Sequence, residues 1–221
     1  MKRIILIATL AAACGGTSSL AVDHNRAGSG TSTLNVDASV SVIVSSTAPL
    51  TAFSVDVTDG TGANVSGATV TMHNAAFGDV PLVEASVGSG TYTNAKTSYP
   101  SGDLSLSIVR GTDKVQGVVV GYPGEHAIIA PTVNSTVSSA QPLHVAWTTP
   151  VTAKAASVST RDYSIDVPDT GTYDIAPADN PVRTDQRVTI VRSNEVEIAG
   201  ALPGSMMSVK VTTRVDPFVV N

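Results

Sequence analysis

From Leu34 to Val44 the chain alternates with a period of two. Leu34, Val36, Ala38, Val40, Val42 and Val44 fall on one face, and Asn35, Asp37, Ser39 and Ser41 on the other; only Ile43 breaks the pattern. Successive side chains of an extended strand point to opposite sides, so this segment reads as a half-buried strand and cannot form an amphipathic helix. The pattern then recurs. Phe53-Ser-Val55-Asp-Val57 alternates, Asp59-Gly60-Thr61-Gly62 signals a turn, and a strand is expected from Val65 to Met72. Leu82–Val87, Gly90–Asn94, Leu104–Val109 and Val115–Val120 follow, each bounded by Gly, Asp or Pro. About seven short strands in ninety residues is the spacing of a sandwich.

Gly121-Tyr122-Pro123-Gly124 reads as a boundary, and the second half repeats the theme. Ile128–Pro131 and Asn134–Val137 open it. Leu143, Val145 and Trp147 then share one face, and Tyr163–Val167, Val188–Ile190, Val196–Ile198 and Ser208–Val215 alternate. The segment from Pro168 to Arg187 is turn-rich and gives no clear strand order. The expected fold class is all-β, with two consecutive immunoglobulin-like β-sandwich domains at 34–122 and 126–221. Composition agrees: charged residues are 14% and aromatics 4%, with helix-favouring side chains sparse.

Before the first strand stands a different signal. Met1-Lys2-Arg3 is a positive start, and Ile4 to Ala13 is an apolar run broken only by Thr9. A helix of that length reaches roughly 15 Å, about half a bilayer core, which suits an export leader and not a span. Ala11-Ala12-Ala13 leads into Cys14-Gly15-Gly16, and Cys14 is the only cysteine. One cysteine makes no disulfide within the chain.

These residues resemble a bacterial lipobox, although Ala11 stands where that pattern prefers Leu. The resemblance implies a signal peptide at 1–13, removed by cleavage before Cys14. It also implies lipid on the Cys14 thiol, carrying fatty acyl chains such as palmitate. Gly15 in place of Asp implies an outer-membrane destination, on its periplasmic or surface face. An ordinary secretory leader cut near Ala13 is the alternative. Residues 14–33 then read as the lipidated cysteine and a flexible Gly/Ser/Thr tether, with a reach of about 25 Å.

The stretch from Val55 to Val70, with its D-x-x-G turn and Val65-Ser-Gly-Ala68-Thr-Val70, and the later Gly90-Thr91-Tyr92 resemble carboxypeptidase-regulatory and transthyretin-like modules. Bacterial immunoglobulin-like repeats share the phrase. In the second half, Leu143/Val145/Trp147, Tyr163/Ile165/Val167 and Leu202-Pro203-Gly204 are similar in order to fibronectin type III domains, with Met206 and Met207 where a buried Tyr is usual. Both resemblances imply architecture and not activity.

Chemistry is sparse. His24, His73, His126 and His144 are scattered without metal-pair spacing, and His144, between inward Leu143 and Val145, is expected to face solvent. No G-x-S-x-G elbow, P-loop or dinucleotide fingerprint occurs, so neither an enzyme nor a cofactor is expected. Asp56 and Asp59 flank a turn, and Asp162, Asp166, Asp169, Asp174 and Asp179 crowd the second half. They suit turns and exposed strand faces better than a calcium loop, since no D-x-D-x-D-G run is present.

Net charge is −5, and losing Lys2 and Arg3 would leave eleven basic against eighteen acidic residues. The bases are scattered singly, which argues against nucleic acid. The expected partners are a membrane, through the lipid, and another envelope or surface protein. The expected role is a non-catalytic binding, adhesion or structural module. A carbohydrate-binding accessory module is the first alternative, with Tyr99 and Tyr122 as candidate platform residues, and an enzyme on a β-sandwich scaffold is the second.

Overall fold

The computed structural model describes residues 24–45 and 47–221. The leader and Cys14 lie outside the described residues. No described helix is long and apolar enough to cross a membrane.

Two hydrophobic cores organise the chain. The first is built by β1 (Arg26–Gly30), β2 (Leu34–Ile43), β3 (Leu50–Asp59), β4 (Thr69–Asn74), β5 (Gly78–Glu84), β6 (Thr91–Lys96), β7 (Leu104–Arg110) and β8 (Asp113–Val120). Every inward residue of the Leu34–Val42 alternation is buried, and each buried Val or Leu contributes about 1.5–3 kcal/mol. The sheet runs β1-β8-β7-β4-β5-β6-β3-β2, and β5 turns it by pairing with both β4 and β6.

Turns of the first body are held by side chains that the sequence motifs contain. Asp59 Oδ1 accepts from Thr61 N (2.8 Å), Thr61 Oγ1 (2.6 Å) and Ala63 N (3.1 Å). Tyr92 donates its OH to Val65 O at 2.8 Å and accepts from Ala68 N at 2.9 Å, so the tyrosine of Gly90-Thr91-Tyr92 fixes the Val65–Ala68 loop. Glu84 clips two loops together, accepting from Ser66 Oγ (2.8 Å), Gly88 N (3.1 Å) and Gly90 N (3.1 Å).

The second body contains β9 (Ile128–Ala130), β10 (Thr136–Val137), β11 (Leu143–Trp147), β12 (Ala155–Ser159), β13 (Ser164–Val167), β14 (Thr172–Ile175) and a 3-10 turn at Pro177–Asp179. A three-stranded sheet, β14-β11-β9, faces the strands β13 and β12 and the last two strands of the chain. Leu143, Val145, Trp147, Ile175, Val188, Ile190 and Phe218 fill the space between. The chain is therefore all-β, with sandwich packing. Strands β12 and β14 lie in segments where composition gave no strong alternation.

The last two strands join the bodies. β15 (Arg183–Glu197) and β16 (Met206–Val220) form one long hairpin. Val188, Ile190, Val215, Phe218 and Val220 lie in the second core, whereas Ile198, Ala201, Met207, Val209 and Val211 lie in the first. Met206–Thr212 pairs parallel with Asp37–Ile43. The boundary expected between 34–122 and 126–221 therefore needs correction: the end of the second segment completes the first body. Leu202-Pro203-Gly204, which resembled a turn of the second domain, caps the hairpin beside β2, where Leu202 N donates to Leu34 O at 2.7 Å. Alternation has the same signature whichever sheet a strand joins, so the sequence was silent on this.

The expected tether, 14–33, also needs correction. Arg26–Gly30 pairs antiparallel with Val115–Val119 as an edge strand. Its mostly exposed side chains carry no periodic signal because the backbone alone pairs it. There the chain passes the hairpin tip at Gly30 and Gly200. A Cβ on Gly200, whose φ is +79°, would lie 1.8 Å from Gly30 N. Only glycine allows this approach.

Candidate functional site

The densest buried chemistry lies where the bodies meet. β15 alternates inward through Val188, Ile190, Arg192 and Asn194, so the strand itself carries a guanidinium and an amide into the interior. Arg192 Nε donates to Asp169 Oδ1 at 2.9 Å, and Nη2 to Asp169 Oδ2 at 2.6 Å. Nη1 reaches Pro123 O at 2.9 Å, and Nη2 also meets Val151 O. Asp169 accepts in addition from Trp147 Nε1 (3.1 Å) and Ala153 N (2.8 Å). Burial alone would raise the Asp169 pKa, but the Arg192 guanidinium and these N–H donors hold it below the usual carboxylate range.

Asn194 extends the network. Its Nδ2 donates to Gly121 O at 2.7 Å, and its Oδ1 accepts from Lys154 N at 2.7 Å. The linker Gly121–Pro123 is thus fastened to β15 at two points. His126, just beyond, is buried; its ring Nε2 lies 3.3 Å from Ile190 O, and Nδ1 has no partner. Burial, with Arg192 nearby, pushes its pKa down to about 4, so it is neutral near pH 7.

Over this junction opens a cleft of about 790 Å³. Its walls come from five separated segments: His24, Asn25 and Ala27; Gly102 and Asp103; Gly121 and Tyr122; Val151–Lys154; and Asn194–Glu197. A histidine–carboxylate contact and an ion pair rim it. His24 Nδ1 lies 3.1 Å from Asp103 Oδ2, and Lys154 Nζ lies 3.0 Å from Glu195 Oε1. A second, more apolar groove of about 470 Å³ runs from Ile129 to His144 along the open edge of the second sandwich.

The expected candidates are dispersed. His73 pairs with Asp79 at 2.8 Å, and His144 with Asp174 at 2.7 Å, both on exposed strand faces, with His144 facing solvent as anticipated. Asp162 bonds Arg183 and Gln186, Asp169 is buried with Arg192, and Asp174 serves His144. Among the described residues no group of three His, Cys, Asp or Glu is placed to hold a metal. Trp147 is buried with Leu143 and Val145. Neither candidate platform tyrosine is a free surface ring. Tyr122 is 7% exposed, with its OH on Glu125 at 2.8 Å, and the Tyr99 OH is held by the Ser45 backbone.

Sequence reasoning missed Arg192 and Asn194, and it set His126 among scattered histidines with no place in a site. One signal was present for the first two: a charged and an amide side chain sit at the inward phase of Val188/Ile190.

No family model and no curated protein matches the chain. Among solved structures it is similar to the fibronectin(III)-like modules of Clostridium thermocellum CbhA, at 12% identity over 80% of this chain and 92% of that one. The TM-score is 0.27.

Proposed function

We propose that this chain is a non-catalytic binding module of the bacterial envelope, exported by its leader, lipidated on Cys14, and presenting the junction cleft to a partner protein. The observation that carries the binding reading is the construction of the cleft. Five separated segments converge on it, and a buried ion pair fixes the floor beneath it. A pre-formed concavity at the meeting of two bodies is where recognition concentrates. The buried titratable groups around it are engaged in structural contacts, and Asp169 has no spare proton to give. The anchor reading stands on the sequence of residues 1–16.

Two measurements test the two halves of the proposal. Mass spectrometry of the N-terminal peptide should find acyl mass on Cys14, and Cys14→Ser should release the protein from membranes without changing its melt. A photocrosslinking residue at Thr152, inside the cleft, should trap an envelope protein, whereas one at fully exposed Val87 should not. Equal trapping at both positions, or none at Thr152, would count against the cleft.

A further inference from the structure

We infer that the outer edge of β13 receives an extended segment of a partner protein, which alternates basic and apolar residues and adds antiparallel as a further strand. The surface shares no residue with the junction cleft.

The backbone makes the case. β13 is the last strand of its sheet and pairs on one side only, with β12. Thr160 N donates to Tyr163 O at 2.8 Å, so these two residues form a bonded pair at the start of the hairpin. Bonded and non-bonded pairs alternate along an antiparallel ladder. Ile165 and Val167 therefore bond inward, to Val158 and Ala156. The N–H and C=O of Ser164 and Asp166 point the other way, and no described group bonds to them. Both residues are exposed. Such a row of strand donors and acceptors is the template for strand addition, in which main-chain bonds give affinity and side chains give selectivity.

The neighbouring edge is less free. β14 ends the facing sheet on the same side, where the Tyr163 and Tyr173 hydroxyls meet at 3.2 Å. Its Thr172 O already accepts from Thr170 Oγ1, and its Asp174 carboxylate holds His144. Between the two edges the second core is thinly covered: Tyr163, Ile165 and Tyr173 pack on it and are only partly buried. A strand added to β13 lays every second side chain over that gap.

Charge and phase select the occupant. Arg161 and Arg183, at either end of this region, are engaged by Asp185, Asp216 and Asp162. Asp166 is left without an ion pair among the described residues, and the charge of Asp179 reaches Tyr163 beside it. Residues opposite Ser164 and Asp166 project outward, so Lys or Arg is favoured there and an acidic residue disfavoured. The residue opposite Ile165 faces inward and is apolar. Asp166, with Pro168 ending the strand, disfavours a second copy of this chain at the same edge.

The test uses the full chain and fluorescein-labelled hexapeptides read by anisotropy. An alternating Lys/Val peptide should bind saturably with a Kd below about 1 mM. The matching Glu/Val peptide should bind at least about tenfold more weakly. Two N-methylated forms of the Lys/Val peptide set the geometry. Methyls on the lysine amides, which face β13, should weaken binding at least about tenfold, whereas methyls on the valine amides, which face away, should leave it within about twofold. In the protein, Ser164→Pro removes an outward N–H, which an edge strand tolerates. That variant should keep its melt and bind at least about fivefold more weakly. Asp166→Asn should narrow the gap between the Lys/Val and Glu/Val peptides. Absence of saturable Lys/Val binding, equal binding of the two methylated forms, or parent-like binding by a folded Ser164→Pro protein overturns the inference. Should the proline variant melt early, the methylated pair decides alone.

Discussion

Arg192 and Asp169 form a two-pronged ion pair with 0% and 1% of their side chains exposed, at the point where the linker between the two bodies passes β15. Neither charge reaches water, so each depends on the other. Asp169→Asn keeps the shape but leaves a buried guanidinium without a counter-charge, a loss of about 3–5 kcal/mol. Denaturant unfolding should show it as a lower midpoint. The double variant Asp169→Leu with Arg192→Met should cost clearly less than the sum of the single changes. An Asp169→Asn protein within about 1 kcal/mol of the parent would contradict the pair's role.

His126 makes the same junction sensitive to acid. Its pKa is about 4 in the folded chain against 6.5 ordinarily, so between those values the unfolded chain binds the extra proton. The stabilisation is full above about pH 6.5, declines as pH falls, and is gone near pH 4; it amounts to about 3 kcal/mol. Melting curves across that window should fall more steeply for the parent than for His126→Leu. Ring-proton titration by NMR should place the His126 midpoint near pH 4, well below 6.5. Parallel pH profiles for parent and variant would rule this assignment out.

Gly200 and Gly62 both have positive φ, at +79° and +83°, yet they differ in surroundings. A Cβ on Gly62 meets nothing within 4 Å, whereas one on Gly200 strikes the Gly30 backbone. Gly62→Ala should cost about 1 kcal/mol from backbone strain alone, and Gly200→Ala more than about 3 kcal/mol. Amide exchange in Arg26–Gly30 should accelerate in the second variant and stay unchanged in the first.

Residues 24–122 expressed alone lack the strand that covers β2. Met207, Val209 and Val211, all fully buried in the first core, are then missing, and the edge of β2 is bare. Such a fragment should show no cooperative melt and should associate through that edge. A chain of 24–122 linked to a supplied 196–212 hairpin should recover the transition. A sharp melt of 24–122 by itself would show that the hairpin is dispensable.

Much of this architecture was legible. The Leu34–Ile43 strand, the Asp59 turn, the buried Trp147 and the solvent-facing His144 follow from period-two patterning and turn chemistry. What escaped was pairing between distant strands. Val196–Ile198 and Ser208–Val211 announce themselves as strands, but nothing local says that both pack on the first core, with Ser208–Val211 paired to β2. β1 escaped because Arg-Ala-Gly-Ser-Gly is held by backbone pairing alone. The junction site escaped for a related reason: Arg192 finds Asp169 twenty-three residues earlier, and Pro123 sixty-nine residues earlier, by tertiary closure. Only the inward phase of Arg192 hinted at it.

The parallel pairing of Met206–Thr212 with Asp37–Ile43 also sets a schedule. A chain delivered from its N-terminus presents the β2 edge early and the strand that covers it almost last. In the interval the first body waits with an open edge, and by loop closure over such a separation its completion is slow. Exposed edges of that kind are where misassembly begins. The polar outward residues Asn35, Asp37, Ser39 and Ser41 keep one face of that waiting strand compatible with water. The first segment to arrive is thus finished only by the last.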